Sequence, residues 1–242
     1  MTGEQTNKAT PLPSISVIVP VRAVDQDFLV CLRSLRALDP APLEILLVLD
    51  GCPEEVPKGE KGDREVRVIR LPESEGPARA RNQGAAKARG VVLFFLDADV
   101  AVRRDAIERV GRAFQGEEAP DALFGCYDDT PEKPGVPSQY RNLLHHYTHL
   151  NGNEEASTFW AGCGAVRQDV FLELGGFEER YARPSIEDIE LGYRMKRAGR
   201  RIRLLKGLRV THLKRWGFFQ MLRTDLFDRA VPWTRLILRD RR

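Results

Sequence analysis

The stretch VVLFFLDADVAV, residues 91–102, is the most informative part of the chain. Its apolar run predicts a short buried strand, and the run ends abruptly at Asp97 and Asp99, two carboxylates one residue apart. Residues two apart in an extended chain point to the same side. We therefore expect a buried strand that brings two carboxylates together at its end.

Three interpretations of this Asp-x-Asp pair are open from the residues alone. The first is a turn in which Asp accepts backbone hydrogen bonds. The second is a site for Mg²⁺ or Mn²⁺, hard cations that take oxygen ligands and share them with substrate phosphates. The third rests on the local resemblance of LFFLDADVAV to the hhhhDxDx(T/V) motif of haloacid dehalogenase-type phosphatases, which implies Asp97 as nucleophile and Asp99 as acid/base. That motif normally opens its domain, whereas about 90 residues precede it here.

The first half of the chain alternates strands with helices. Strands are predicted over residues 14–21, 43–50, 65–71 and 91–99, and helices over 26–38, 76–90 and 103–114. This alternation predicts an α/β fold with a parallel sheet covered on both faces. Ligands of such sheets bind beyond the carboxyl ends of the strands, where Pro20-Val21-Arg22, Asp50 and Asp97-Ala98-Asp99 are expected.

The second half of the chain is less regular. We predict a strand and then a Pro-rich loop over residues 120–140, a helix over 141–150, a strand or turn with a short helix over 157–177, and a helix over 184–199. One or two strands follow over 201–213. Residues 217–238 form an amphipathic helical pattern interrupted near Pro232.

Composition indicates an ordinary globular protein. Hydrophobic residues make up 42% of the 242 residues and charged residues 30%. The longest apolar runs fall short of the ~20 residues that span a bilayer, and the polar first 14 residues predict no secretion signal. The four scattered cysteines show neither zinc spacing nor a disulfide framework, which favours a reducing, cytoplasmic location.

Charge is distributed unevenly along the chain. The net charge is +3, but residues 201–242 hold 12 basic and 3 acidic residues. Such a basic tail suggests an anionic partner: a membrane surface, nucleic acid or a phosphorylated substrate. A basic tail that is simply solvated remains the alternative.

Five segments in order resemble family-2 glycosyltransferases of the GT-A fold. They are SVIVPVR, EILLVLDG, GPARARNQGAAKARGVVLFFLDAD, AGCGAVRQDVFLELGGF and EDIELGYRMKRAG. The resemblance covers residues 14–215 and implies a Rossmann-like, mostly parallel sheet with flanking helices. We expect a disordered lead-in (1–13), a catalytic domain (14–215) with a nucleotide-binding half (14–100) and an acceptor-binding half (101–215), and a basic amphipathic helical tail (216–242).

The resemblance also implies roles for residues on the donor side. It implies that the nucleotide sugar is bound by Pro20, Val21, Arg22, Asp50, Arg81, Asn82, Asp97, Ala98 and Asp99. Where the family often shows two acids, this chain has Leu49-Asp50. A cofactor ion, Mn²⁺ or Mg²⁺, would be held by Asp99 and by His212, which follows the predicted last strand.

Asp188 matches the family's general base, the carboxylate that takes a proton from the attacking hydroxyl. An alternative is open, because Ser185 and Asp188 have the S-x-x-D spacing of a helix capping box. In that case Asp188 would serve only to cap the helix over 184–199.

The remaining candidates line the predicted sugar and acceptor side, namely Trp160, Gly162, Glu187, Arg215 and Trp216. Trp160 is either a stacking platform or a core residue. Lys214-Arg215-Trp216 is similar to the (Q/R)xxRW segment of processive family members, but the Gln is absent, which favours a non-processive enzyme. His145 and His149, four residues apart, are more typical of helix packing than of a metal site.

The sequence as a whole predicts an inverting, metal-dependent glycosyltransferase. Its expected partners are a nucleotide-sugar donor, with a UDP-sugar favoured, and a glycan or lipid-linked acceptor in bacterial polysaccharide, glycolipid or cell-envelope glycan synthesis. For the apolar stripe of the tail, packing on the catalytic domain or on a second copy is one expectation and peripheral contact with the inner face of an anionic membrane is the other. No nucleic acid is expected. A phosphatase and a catalytically inactive sugar-nucleotide-binding module remain the alternatives.

Overall fold

A nine-stranded sheet organises the residues that the computed structural model describes, which are 11–59, 64–181 and 183–240. Most of the predicted lead-in, residues 1–10, lies outside them. The strands are β1 Ile15–Val21, β2 Glu44–Asp50, β3 Arg67–Leu71, β4 Val92–Leu96, β5 Val100–Val102, β6 Ala122–Tyr127, β7 Glu155–Ala156, β8 Cys163–Arg167 and β9 Ile202–His212.

Helices flank the sheet and continue into the tail. They are α1 Gln26–Arg36, α2 Pro77–Lys87, α3 Ala106–Ala113, α4 Val136–Leu150, α5 Gln168–Glu173, α6 Glu187–Arg197, α7 Phe218–Arg223, a π-helical turn Thr224–Ala230, and α8 Val231–Asp240. Helix α4 begins five residues before the predicted helix over 141–150, because Pro137 is compatible with the first turn of a helix.

The strands run in the order β3-β2-β1-β4-β8-β6-β9-β5, with β7 also paired to β9. Parallel ladders join β3, β2, β1 and β4, and another joins β6 to β9. Strand β8 is antiparallel to β4 and β6, and β5 and β7 are antiparallel to β9. The predicted α/β fold with a mostly parallel sheet is confirmed. As a consequence, β1, β2, β4, β6 and β9 all end at the same edge of the sheet.

The core lies on both faces of the sheet, because successive strand residues point in opposite directions. Val17 and Val19 of β1 pack with Phe28 and Leu32 of α1 on one face. Ile18 packs on the other face with the alanines of α2 and with Phe95. All four cysteines are buried free thiols.

The tail is helical, as predicted, with the irregular turn placed just before Pro232. Proline cannot donate the usual backbone hydrogen bond, so regular helical bonding is interrupted near it. Among the described residues, no helix is long and apolar enough to cross a bilayer.

Candidate active site

The Asp97-Ala98-Asp99 stretch forms the turn between β4 and β5 at the shared strand edge. Strand β5 pairs antiparallel with β9, so Val100 lies opposite His212, and the amide of Leu213 donates to the carbonyl of Asp99 at 2.8 Å. This register brings His212 Nε2 to 3.8 Å from Asp99 Oδ2. The two predicted metal ligands, far apart in sequence, are therefore neighbours.

The electrostatic surroundings of Asp99 favour a negative charge. Burial acts to raise its pKa, but His212 and the positive charge of Lys214 outweigh burial and hold the pKa below its ordinary value. Burial raises the pKa of Asp97, and Asp99 adds to that effect while Arg81 opposes it. Asp99 is thus the better anionic ligand of the pair.

The donor set of this turn fits Mn²⁺ or Mg²⁺. Two ligands at about 2.1 Å from one ion lie about 3 to 4 Å apart, which matches the spacing of Asp99 and His212. No group of three or more acidic, histidine or cysteine side chains within the described part of the chain is arranged to hold a metal. Such an ion would share its remaining positions with phosphate oxygens and water, as Mg²⁺ commonly does.

Arg81 of α2 connects the Asp-x-Asp turn to helix α6. Its Nη2 donates to Asp97 Oδ1 at 2.7 Å and its Nη1 to Glu187 Oε1 at 2.9 Å. The guanidinium is buried and packs over the ring of Phe177, with 5.5 Å from the guanidinium carbon to the ring centroid. Arg81, predicted to bind the nucleotide sugar, therefore forms ion pairs with two carboxylates.

Asp188 lies at the start of α6, next to Glu187 and facing the loop before β8. Its Oδ2 accepts the amide of Ala161 at 3.1 Å and its Oδ1 accepts the amide of Ile189 at 2.8 Å. Burial and the negative charge of Glu187 raise its pKa to about 7, against the opposing effects of Arg81 and the two amides. A carboxylate with this pKa can accept and release a proton near neutral pH.

The capping-box alternative for Asp188 is wrong. Helix α6 begins at Glu187 with Ile186 at its N-cap and no side-chain cap. Ser185 does not cap the helix either, because its hydroxyl donates to the carbonyl of Asp228 at 2.6 Å. Asp188 thus lies inside the first turn, and its carboxylate reaches across to the Ala161 loop.

Glu187 is predicted to lie on the acceptor or sugar wall, and that placement stays a prediction. The side chain is buried, with Oε1 bound to Arg81 and Oε2 accepting the amide of Ser185 at 2.9 Å. Both carboxylate oxygens are therefore occupied by the protein. The role supported by these contacts is to hold the start of α6 against α2.

Asp50 and Asn82, both predicted to bind the donor, hold loops of the fold. Asp50 accepts the amides of Glu75 at 2.7 Å and Gly76 at 3.0 Å, together with the hydroxyl of Ser74. Asn82 exchanges two hydrogen bonds of 2.9 Å with the backbone of Phe177. These bonds engage both oxygens of Asp50 and both ends of the Asn82 amide.

The residues at the end of β1 divide by exposure. Val21 pairs with Leu49 and its side chain is fully buried, so its backbone is the part that can line a pocket. Pro20 is half-buried and Arg22 is exposed. Ala98 is half-buried in the Asp-x-Asp turn.

Trp160 and Gly162 form one unit beside the Asp-x-Asp turn. A Cβ on Gly162 would lie 2.7 Å from the Trp160 ring, so only glycine lets the indole lie against this loop. The carbonyl of Gly162 accepts the amide of Asp97 at 3.2 Å. Trp160 is half-buried and its ring packs edge-on to Tyr127, with centroids 5.0 Å apart.

Trp216 is a packed residue. Its ring is buried and contacts both Lys214 and Arg141, and its amide donates to Ser138 of α4 at 2.9 Å. Arg215 is exposed. The placement of Trp216 and Arg215 on the acceptor side stays a prediction.

His145 and His149 pack together, with ring centroids 4.1 Å apart. Burial lowers the pKa of His145 well below its ordinary value and that of His149 to about 4, so both rings are neutral at pH 7. Helix packing is thus their role, as the sequence favoured.

Two residues that border His212 were missed from the sequence. Tyr127 stacks on its ring at 4.5 Å, and Asn142 hydrogen-bonds to it. Tyr127 ends β6 at the shared edge, and its place just before Asp128 and Asp129 was the available signal. Nothing in the pattern of α4 singled out Asn142.

Solved structures share this architecture. The mannosyltransferase PcManGT from Pyrobaculum calidifontis, in complex with GDP-Man and Mn²⁺, superposes with a TM-score of 0.65 over 88% of this chain and 61% of its own, at 17% identity. S. aureus TarS 1–349 in complex with UDP-GlcNAc gives 0.62 over 86% of this chain and 60% of its own, at 19% identity. The fold is that of the GT-A glycosyltransferases.

Sequence relatives give the family. The pre-mycofactocin glycosyltransferase of Mycobacterium tuberculosis is 28% identical over 198 residues, 78% of this chain and 40% of the relative. The glucosyl-dolichyl phosphate glucuronosyltransferase of Haloferax volcanii is 25% identical over 186 residues, 73% of this chain and 59% of the relative. The chain spans about two fifths of the length of the M. tuberculosis relative. The profile described as glycosyl transferase family 2 matches residues 16–175, and the chain belongs to that family.

Proposed function

We propose that this protein transfers a sugar from a nucleotide-diphosphate sugar to an acceptor hydroxyl, with inversion at the anomeric carbon. The observation that carries the proposal is the pair of ion pairs made by Arg81, which link Asp97 of the donor motif to Glu187, the neighbour of Asp188. One buried cation thus connects the metal-binding turn to the helix that carries the base.

Asp188 is the proposed general base. The acceptor oxygen attacks the anomeric carbon as the bond from that carbon to the diphosphate oxygen breaks. The hydroxyl proton passes to the Asp188 carboxylate, and the nucleoside diphosphate leaves with the bonding electrons. A pKa of about 7 suits this transfer, because a base works best when its pKa lies near the working pH.

Asp99 and His212 are the proposed ligands of Mn²⁺ or Mg²⁺. A bound divalent ion stabilises the negative charge that builds up on the leaving diphosphate. The complexes of structural neighbours with UDP-GlcNAc, and with GDP-Man and Mn²⁺, support a nucleotide-sugar donor and a metal, and we favour a UDP-sugar. Pro20 and Arg22 remain proposed contacts of the nucleoside, and Trp160 of the sugar.

The phosphatase alternative receives no support from the geometry. Asp97 would be its nucleophile, yet Asp97 is held by Arg81 at 2.7 Å. The family match also favours glycosyl transfer. A catalytically inactive binding module remains as the second candidate. A measurement of turnover decides between it and the glycosyltransferase.

For the acceptor we propose a glycan or a lipid-linked sugar, with contact to an anionic membrane surface. Helix α4 supports the contact because its packing is inverted, with its polar side facing inward and its apolar side facing outward. Ser138, Arg141 and Asn142 are buried, whereas Tyr140 and Tyr147 are exposed, Tyr147 by 66%. A surface helix ordinarily buries its apolar side. An apolar outer face is typical of a surface that meets a membrane or a protein.

The tail supports the same inference. Neither α7 nor the π-helical turn buries a residue, and Phe219 is 83% exposed. Residues 214–239 carry six basic and two acidic side chains. Contact between two copies through this face would bring like charges together, so charge complementarity favours an anionic lipid surface over self-association.

The proposed function is tested by incubating the protein with Mn²⁺, a panel of UDP-, GDP- and dTDP-sugars, and glycan or lipid-linked acceptors. We expect release of nucleoside diphosphate together with a glycosylated product of inverted configuration. Donor binding without turnover across the acceptor panel would favour the binding module. Hydrolysis of p-nitrophenyl phosphate that is lost in Asp97→Asn would favour the phosphatase.

A further inference from the structure

We propose that Asn142 is a positioning residue that sets which nitrogen of His212 carries the proton. His212 Nδ1 lies 2.7 Å from Asn142 Oδ1, and the exposed fractions of the two residues are 4% and 3%. An amide oxygen accepts hydrogen bonds, so the neutral ring donates from Nδ1–H to Asn142. Nε2 is then left with its lone pair.

The orientation of Asn142 follows from the inverted packing of α4. The buried side of this helix makes polar contacts with the strand edge: Ser138 accepts from Trp216, and His146 Nδ1 lies 2.8 Å from the carbonyl of Tyr127. Asn142 lies between them on the same side and reaches the end of β9, 70 positions further along the chain.

A second contact fixes the plane of the His212 ring. The Tyr127 ring stacks on it with centroids 4.5 Å apart and an interplanar angle of 14°. Tyr127 restrains the tilt of the imidazole and Asn142 its rotation and tautomer. Together they keep Nε2 directed at Asp99.

The opposite tautomer would place a proton on Nε2, facing Asp99. It would donate to the carboxylate and leave no lone pair for an ion. The separation of 3.8 Å between Nε2 and Asp99 Oδ2 matches two ligands of one ion, which the Nδ1–H form can supply. The hydrogen bond made by one ring nitrogen of a histidine commonly selects the other nitrogen for metal binding.

This inference rests on the proposed role of His212 as a ligand, and the experiment separates the two. ¹⁵N NMR of the neutral His212 ring in the metal-free protein identifies the protonated nitrogen without any reaction. Titration with Mn²⁺, alone and with UDP, then measures affinity. The variants are Asn142→Leu, the conservative Asn142→Asp, and Asn151→Leu at the exposed end of the same helix as control.

We expect wild type to carry the proton on Nδ1, and Asn142→Leu to lose that preference. Asn142→Leu should bind Mn²⁺ about 10- to 100-fold more weakly, as for other outer partners of metal ligands. Asn142→Asp restores an acceptor and should approach wild type, and Asn151→Leu should match it. A proton on Nε2 in wild type, or unchanged Mn²⁺ affinity in Asn142→Leu, would overturn the proposal.

If His212→Ala binds Mn²⁺ as wild type does, the ligand role of His212 fails, and with it any effect of Asn142 on the metal. A proton on Nδ1 would then report only the ring's orientation.

Discussion

At the scale of single residues, Asp188 combines a proton-accepting carboxylate with a cost to stability. The unfolded chain releases its proton near the ordinary pKa of 3.8, and the native protein holds it up to about pH 7. The native state therefore binds more protons between these values, and this group's contribution to stability falls as pH rises from about 4 to 7. Asparagine carries no such charge.

Asp188→Asn should therefore lower turnover by ~10²–10⁴ with donor binding nearly unchanged. The thermal stability of the variant relative to wild type should rise from pH 4 to pH 8. Calorimetry at several pH values, beside a turnover assay, checks both. A turnover loss that merely follows the loss of folded protein would argue against a base.

The raised pKa of Asp188 also predicts a pH profile. As a base it must be ionised, so kcat/KM should fall on the acid side with an apparent pKa near 7. Glu187→Gln removes a neighbouring negative charge, which lowers the pKa of Asp188 and moves this limb to lower pH. Glu173→Gln, on the exposed side of α5, should leave the limb in place. A limb that does not move in Glu187→Gln would contradict the assignment.

Asp99 is tested by removal of the carboxylate and of the metal. Asp99→Ala should abolish metal-dependent donor binding and turnover while keeping the circular dichroism of wild type. EDTA should inactivate wild type, and Mn²⁺ or Mg²⁺ should restore it, because the leaving diphosphate needs a compensating charge. Asp169→Ala, an exposed acid on α5, is the control. Full activity in excess chelator would be incompatible with this role.

At the scale of elements, the position of α6 depends on a close approach at Gly192. A Cβ at this position would collide with the backbone nitrogen of Phe159, in the loop that leads to Ala161 and the carboxylate of Asp188. Helix and loop therefore fit together only through glycine. The same contact sets where Asp188 lies relative to the strand edge.

Gly192→Ala should destabilise the fold by about 1–3 kcal/mol, as overpacking of a core does, and should lower kcat more than it weakens Mn²⁺ binding. Gly217→Ala is the matched control, because a Cβ there meets no atom within 4 Å. Denaturant unfolding and steady-state kinetics measure the two effects. Wild-type stability and kcat in Gly192→Ala would show that the helix can shift without consequence.

At the scale of the whole molecule, the outer faces of α4 and the tail predict membrane binding. The two elements are joined by Arg141, whose Nη1 lies 2.5 Å from Asp225 Oδ1. The adjoining surface exposes Tyr140, Tyr147, Phe219 and Phe227. Aromatic side chains beside basic ones are typical of proteins that lie in the membrane interface.

Sedimentation with vesicles of graded phosphatidylglycerol content should show binding that rises with anionic lipid and weakens in high salt. Replacing Arg223 and Arg229 by Gln should weaken binding by about 2 kcal/mol, roughly 30-fold, at ~1 kcal/mol per charge. Phe219→Ser should weaken it as well, whereas Leu172→Ser, an exposed apolar residue on α5, should not. Absence of wild-type binding, or a dimer that protects this face from hydrogen exchange, would refute the membrane contact.

The sequence alone determined the fold class, the family and the edge at which the site lies. These follow from local periodicity, because buried strands and amphipathic helices have apolar residues at short, regular spacings. Parallel strands also end at the same edge of the sheet. The Asp-x-Asp turn was predictable for that reason. So was the helical tail with its irregularity near Pro232.

Only the tertiary structure decided which side chains meet. Arg81 and Glu187 are 106 positions apart, and Asn142 and His212 are 70 apart, so no local pattern could pair them. The burial of Val21 and Trp216 likewise depends on neighbouring strands and on α4. The inverted packing of α4 runs against the rule that an apolar face turns inward. It arises because the strand edge supplies polar partners for the inner face, such as His212 and the Tyr127 carbonyl.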